Sequence, residues 1–82
     1  MKVLIHKSAL KKLEKLNKRD RERIKFILLL LKNFDFKRID IKKLRGEENI
    51  FRVRVGKYRI LFKLEKQIII VFKIDKRESV YD

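Results

Sequence analysis

The chain has no cysteine, no proline and a single histidine, His6. Without cysteine it can form neither a disulfide nor a thiolate metal site, and a reducing cytoplasm is the compartment that suits it. One histidine leaves zinc only a carboxylate cage, which the spacing of the acids does not suggest, so no metal and no cofactor is expected. Long apolar runs are missing as well. The longest, Phe26 to Leu31, has six residues, whereas a bilayer span needs about 20. The run Val3 to Ile5 is far too short for the apolar core of a signal peptide. A soluble chain that does not enter a membrane is expected. Acids are the scarcest class relative to need: 11 Asp and Glu stand against 25 Lys and Arg, a net charge of +14. Self-repulsion on that scale opposes compaction, so a polyanion or an acidic partner is implied. A habitually charged surface of the thermophilic kind would raise both signs together and does not explain a two-to-one excess of one.

What is present fits one domain, residues 1–82, with an economical core. Val3 to Ile5 is β-prone. Ser8 offers an N-cap to a helix whose Leu10, Leu13 and Leu16 share a face. Asn17 to Asp20 supplies a second cap, and Ile24, Ile27, Leu28 and Leu31 then repeat with helical period to Asn33. Two helices so closely joined should form an antiparallel hairpin. Phe26, Leu29 and Leu30 give the second helix another apolar surface, which burial on both sides explains better than cover by a partner chain. Asn33 to Asp40 reads as a polar connection. After Gly46 come three strands, Ile50 to Val55, Tyr58 to Leu64, and Gln67 or Ile68 to Ile74. The first two are joined by Gly56-Lys57, suited to a type II′ turn. The fold class is therefore α+β: a short N-terminal strand, a helical hairpin, and an antiparallel β-meander forming one sheet.

Alternation along these strands sets the faces. Phe51, Val53 and Val55 oppose Arg52 and Arg54; Tyr58, Ile60, Phe62 and Leu64 oppose Arg59, Leu61 and Lys63. In the last strand Ile68, Ile70, Phe72 and Ile74 are assigned to the core, with Ile69, Val71 and Lys73 opposite. The other face is then open and basic. A two-residue Gly56-Lys57 loop pairs Arg54 with Arg59. Pairing Leu64 with Ile68 keeps the apolar sets together and puts Arg59 opposite Lys73, so that Arg54, Arg59 and Lys73 form a cationic row. Like charges directly opposite are unfavourable, by up to roughly 3 kcal/mol at ~5 Å and an effective dielectric of about 20. A phosphate chain would relieve them, and arginine grips phosphate with two donors.

The segment Phe51-Arg52-Val53-Arg54-Val55-Gly56-Lys57-Tyr58-Arg59-Ile60-Leu61-Phe62, with Leu44-Arg45-Gly46 before it and Lys76-Arg77 and Val80-Tyr81 after it, resembles the RelE/ParE superfamily of toxin–antitoxin toxins. The resemblance covers nearly the whole chain. It implies a ribosome-dependent endoribonuclease that enters the ribosomal A site and cuts the messenger there. By that analogy Arg59 holds the scissile phosphate, Arg77 serves the leaving group or clamps the transition state, and Tyr81 deprotonates or orients the attacking 2′-hydroxyl. Arg52 and Arg54 match basic positions that bind phosphate, with Lys73, Lys76 and Arg45 as further RNA-binding positions. The cations from Lys11 to Lys18 would meet ribosomal RNA. Lys76 stands where many members carry histidine, so a base at that position would here be Lys76 or be replaced by Tyr81. The resemblance also implies an acidic, RelB-like antitoxin in a hetero-oligomer with the toxin.

The chemistry is feasible on these residues. Attack of a 2′-hydroxyl on its neighbouring phosphate needs no metal if guanidinium groups stabilise the developing charge. It cannot proceed on DNA, which lacks the hydroxyl. A tyrosine has an ordinary pKa near 10, and surrounding arginines would favour its phenolate. His6 is read as structural. Two other functions compete: a ParE-like toxin that inhibits DNA gyrase, and a non-enzymatic RNA- or ribosome-binding protein. Sheet-face RNA binders usually display stacking aromatics, whereas Phe51, Phe62 and Phe72 are assigned here to the core.

Overall fold

The structure, a computed structural model, describes residues 1–46 and 48–76. Along the chain come β1 (Lys2–Ile5), α1 (Lys7–Lys15), α2 (Lys18–Lys32), a short 3-10 turn (Phe36–Arg38), β2 (Asp40–Lys43), β3 (Ile50–Val55), β4 (Tyr58–Glu65) and β5 (Ile68–Lys76). The five strands make one sheet in the order β1-β5-β4-β3-β2, with β1 parallel to β5 and every other pair antiparallel. This is the α+β architecture expected.

Both helices begin on side-chain caps. His6, not Ser8, caps α1: its Nδ1 accepts the backbone N–H of Ser8 at 3.2 Å. Ser8 sits two residues past the cap position, and its amide is instead the donor that needs capping. Asn17 caps α2 by accepting the Asp20 amide at 2.8 Å, and Asp20 places a carboxylate at the positive end of the helix dipole. The core joins Ala9 and Leu13 of α1 and Ile24, Leu28 and Leu31 of α2 to Val53, Ile60, Phe62, Ile69, Val71 and Ile74 of the sheet. Leu10 is half-exposed, and the smaller Ala9 takes the buried place on α1. Of the second apolar surface on α2 only Leu30 is buried; Phe26 is 47% and Leu29 51% exposed. The helices lie on one side of the sheet, and among the described residues no further layer covers the outside of α2. Phe26 instead lies beneath the Arg38 guanidinium, 5.3 Å from the ring centre.

Two features of the sheet differ from expectation. The stretch read as a polar connection ends in β2, which pairs with β3 through Asp40↔Arg54, Ile41↔Val53, Lys42↔Arg52 and Lys43↔Phe51. Its four residues are too few to show a clear alternation. In β5 the core-facing residues are Ile69, Val71 and Ile74, each at most 2% exposed, so Ile68 and Ile70 belong to the opposite face. The β4–β5 loop has two residues, Lys66 and Gln67, because Lys66 adopts φ +56 and closes the turn one step earlier than assumed. Slipping a register by one residue exchanges the two faces of a strand. Pairing runs Phe62↔Val71 and then Leu61↔Lys73, leaving Phe72 as an extra residue in a bulge. The bulge restores the expected phase at Ile74. Phe72 is accordingly half-buried beside Ser8, Ala9 and Lys12 of α1 and takes no part in the central core.

Candidate nucleic-acid interface

The hairpin of β3 and β4 builds the site. Gly56 has φ +58, and the two-residue loop it makes with Lys57 pairs Val55 with Tyr58 and Arg54 with Arg59, as expected. The pairing of Arg59 across β5 differs: its partner is Asp75, and Lys73 lies opposite Leu61. The row of three cations is therefore replaced by a row Asp40–Arg54–Arg59–Asp75 across β2, β3, β4 and β5. A second row beside it reads Lys42–Arg52–Leu61–Lys73. Two carboxylates flank the paired arginines, so part of the repulsion is relieved within the molecule. The cause of the difference is again the shorter loop and the bulge at Phe72.

The arginines are also less open than a solvated basic face requires. Arg54 keeps a side chain 51% exposed, but Arg52 and Arg59 retain only 8% and 4% of their surface. Asp40 binds two of them: its Oδ1 lies 3.4 Å from Arg52 Nη2 and its Oδ2 3.4 Å from Arg54 Nε. Arg59 turns back on the hairpin, where its Nη1 donates to the carbonyls of Gly56 at 3.0 Å and Tyr58 at 2.9 Å. The Nε–H groups of Arg52 and Arg59 are buried and have no acceptor among the described residues. A buried donor left unpaired costs about 1–3 kcal/mol, and more when it belongs to a charged group. Leu61, between Arg52 and Lys73 in its row, is 7% exposed although it points away from the helices.

Asp75 is tied to both sides of its strand end. Lys12 Nζ of α1 reaches its Oδ1 at 3.3 Å, and the Lys76 amide donates to the same atom at 2.8 Å. Burial pushes the Asp75 carboxyl up, but the Lys76 amide together with the charges of Lys12 and Lys73 outweighs it and holds the group below its usual value of 3.8. Tyr58 is a core residue: burial first, and then the Asp20 carboxylate, raise its phenol above 10.0. It is the opposite of a primed base.

The structure thus gathers Arg52, Arg54, Arg59 and Lys73 on one face. Lys76 pairs with Tyr58 and so falls on the helix side of the sheet at the end of β5. Arg45 lies in the turn beyond β2, next to Lys43, Gly46 and Glu48. That turn is at the far end of the β2–β3 ladder from Arg54, roughly 10 Å or more along the strands. Arg77 and Tyr81 lie outside the described residues. His6 caps a helix, as a structural residue would. Sequence reasoning missed Asp40 and Asp75 as counter-ions of the site. Recognising Asp40-Ile41-Lys42 as a strand facing Arg54-Val53-Arg52 would have found the first. No helix among the described residues is long and apolar enough to cross a membrane.

Known proteins share this pattern. Residues 3–81 match the family described as ParE toxin of type II toxin–antitoxin system. A protein named Toxin RelE3 from Methanocaldococcus jannaschii is 38% identical, covering all of this chain and 97% of its own. Among solved structures, the toxin in a RelB–RelE antitoxin–toxin complex from Methanococcus jannaschii superposes with a TM-score of 0.83 at 34% identity, over 96% of this chain and 95% of that one. A RelE–RelB complex from the archaeon Pyrococcus horikoshii gives 0.73 at 28% identity over 93% of each chain.

Proposed function

This chain belongs to the ParE toxin family of type II toxin–antitoxin systems, and on that premise we propose that it is a RelE-type, ribosome-dependent endoribonuclease that cuts messenger RNA. The observation that carries the proposal is the cluster of Arg52, Arg54 and Arg59 on one face, with Arg54 half-exposed and the buried Nε–H groups of Arg52 and Arg59 without an acceptor among the described residues. Phosphate oxygens are the acceptors such guanidinium groups suit best.

In the proposed reaction the 2′-oxygen of one nucleotide bonds to the adjacent phosphorus while the bond from phosphorus to the 5′-oxygen breaks. The 2′-hydroxyl proton passes to the Tyr81 phenolate, and the departing 5′-oxygen, its charge held by Arg77, takes up a proton from water. Arg59 and Arg54 meet the non-bridging oxygens, where charge accumulates. Arg52 and Lys73 hold the flanking backbone. Arg77 follows Lys76 directly in sequence, two residues past the Asp75 that pairs with Arg59. Positioning by the ribosome supplies the orientation that a site without a histidine base lacks.

Messenger cleavage on programmed ribosomes tests this, with Arg59→Ala, Arg77→Ala and Tyr81→Phe beside wild type. Wild type should cut in the A-site codon, and loss of one transition-state donor should slow the cut by roughly 10²–10³. Absence of cutting together with inhibition of gyrase supercoiling would move the chain to a gyrase-directed function instead. The relatives solved with RelB support an acidic RelB-like antitoxin as the partner in a hetero-oligomer. The exposed Phe26 and Leu29 give such a chain apolar anchorage within a cationic surface.

A further inference from the structure

We propose that Asp40 is a positioning residue of the cleavage site: its carboxylate fixes the guanidinium groups of Arg52 and Arg54 for the phosphate. The inference rests on the endoribonuclease reading and adds to it an acidic residue among the cations.

The register explains how one carboxylate serves two arginines. Asp40 stands directly opposite Arg54, and Arg52 is the diagonal neighbour two residues along β3. Opposite residues have Cβ atoms about 5 Å apart and diagonal ones about 7–8 Å, within reach of an arginine. Each carboxylate oxygen takes one arginine at 3.4 Å, through Arg54 Nε and Arg52 Nη2. The Arg54 contact is made through Nε and the Arg52 contact through one terminal nitrogen. The terminal nitrogens of Arg54 stay available on a side chain 51% exposed, and the Arg52 Nε has no acceptor among the described residues.

Charge alone makes Asp40 look harmful. A carboxylate beside a phosphate site repels the ligand, and removing it should tighten binding to any polyanion. Arginine, however, carries a large rotamer entropy, which a mobile side chain must surrender as the transition state forms. A carboxylate that has already fixed two guanidinium groups spares the reaction that cost. The two effects act on different steps, so they separate experimentally. Asp40 weakens ground-state binding and assists the chemical step.

The variant Asp40→Asn offers one neutral acceptor, and its amide N–H₂ donor would face a guanidinium. Expected on programmed ribosomes is a fall in kcat of about ten-fold, smaller than the 10²–10³ for deleting a donor. KM should be unchanged or about two- to five-fold lower, since one repulsive charge has gone. Asp40→Glu should recover part of kcat. Asp35→Asn, which loses only the remote Asp35–Arg38 ion pair, should match wild type. Nitrogen-15 relaxation of the Arg54 Nε–H should show a rigid group in wild type and a mobile one in Asp40→Asn. An unchanged or raised kcat in Asp40→Asn overturns the proposal and leaves Asp40 a screening charge. Equal loss in Asp40→Glu and Asp40→Asn, tracking a lowered melting temperature, overturns it in favour of a structural role. If wild type cuts no messenger, the endoribonuclease reading fails. The relaxation measurement then still decides whether Asp40 holds the arginines, and equal mobility in both proteins overturns that as well.

Discussion

Gly56 decides whether Arg54 and Arg59 meet at all. Its φ of +58 lies in the left-handed region, and a Cβ there would come within 3.2 Å of Arg23 Nη1. The arginine end is flexible and can yield; the backbone conformation cannot be avoided. Gly56→Ala should therefore lower stability by about 1–2 kcal/mol, read as a shift of the urea midpoint. Gly56→Asn should lose less, because asparagine tolerates that conformation. If alanine proves neutral, the turn can relax and does not fix the register. At this scale the sequence was most legible: Gly-X between two alternating runs specified the turn, and the turn specified the Arg54–Arg59 pair. What could not be read was the direction each guanidinium takes. Arg59 folds onto the Gly56 and Tyr58 carbonyls, and alternation says only which face a side chain leaves from.

Among the elements, β3 and β4 announced themselves through alternation, and α2 through its period of Ile24, Ile27, Leu28 and Leu31. β5 did not. From Ile68 to Phe72 every residue is apolar, so no polar position marks the phase, and the loop before it has no glycine to signal its length. β2 was hidden for the reverse reason, being short and mostly charged. Both errors bore on the site, since β2 brings Asp40 and the true phase of β5 brings Asp75. The Asp75–Lys12 contact also fastens the end of β5 to α1. Because the folded carboxyl sits below its unfolded value of 3.8, its contribution is complete above that value. It is lost as pH falls through the lower folded value. With Lys12 44% exposed, solvent screening keeps the effect under about 1 kcal/mol. Urea unfolding between pH 6 and 3 should show wild type losing more stability than Lys12→Met. Parallel pH profiles for the two proteins would show that the contact contributes nothing.

The molecule as a whole carries a net charge of +14, and one face concentrates Arg52, Arg54, Arg59 and Lys73 against two carboxylates. Composition alone pointed to an anionic partner but could not say where it would lie; the strand register locates the face. If those four cations contact single-stranded phosphates, the logarithm of the binding constant should fall with the logarithm of salt concentration with a slope of about −3. Arg54→Ala should reduce that slope by about 0.7. Fluorescence anisotropy with a 2′-O-methyl oligoribonucleotide, which cannot be cut, measures both. A slope near zero would mean that this face does not bind a phosphate chain.

The sheet order places the first strand beside the last, with β1 hydrogen-bonded to β5 along Lys2↔Ile68 through Ile5↔Val71. These are the most widely separated partners in the described chain, and long-range pairings of this kind close late because the loop between them must be ordered first. During synthesis β1 must wait, an unpaired strand, until β5 has been translated and has cleared the exit tunnel. Arg59 acquires its Asp75 neighbour only at the same moment. The nascent polypeptide therefore closes its sheet only after the last strand has emerged, however early the helices and the β3–β4 hairpin have formed.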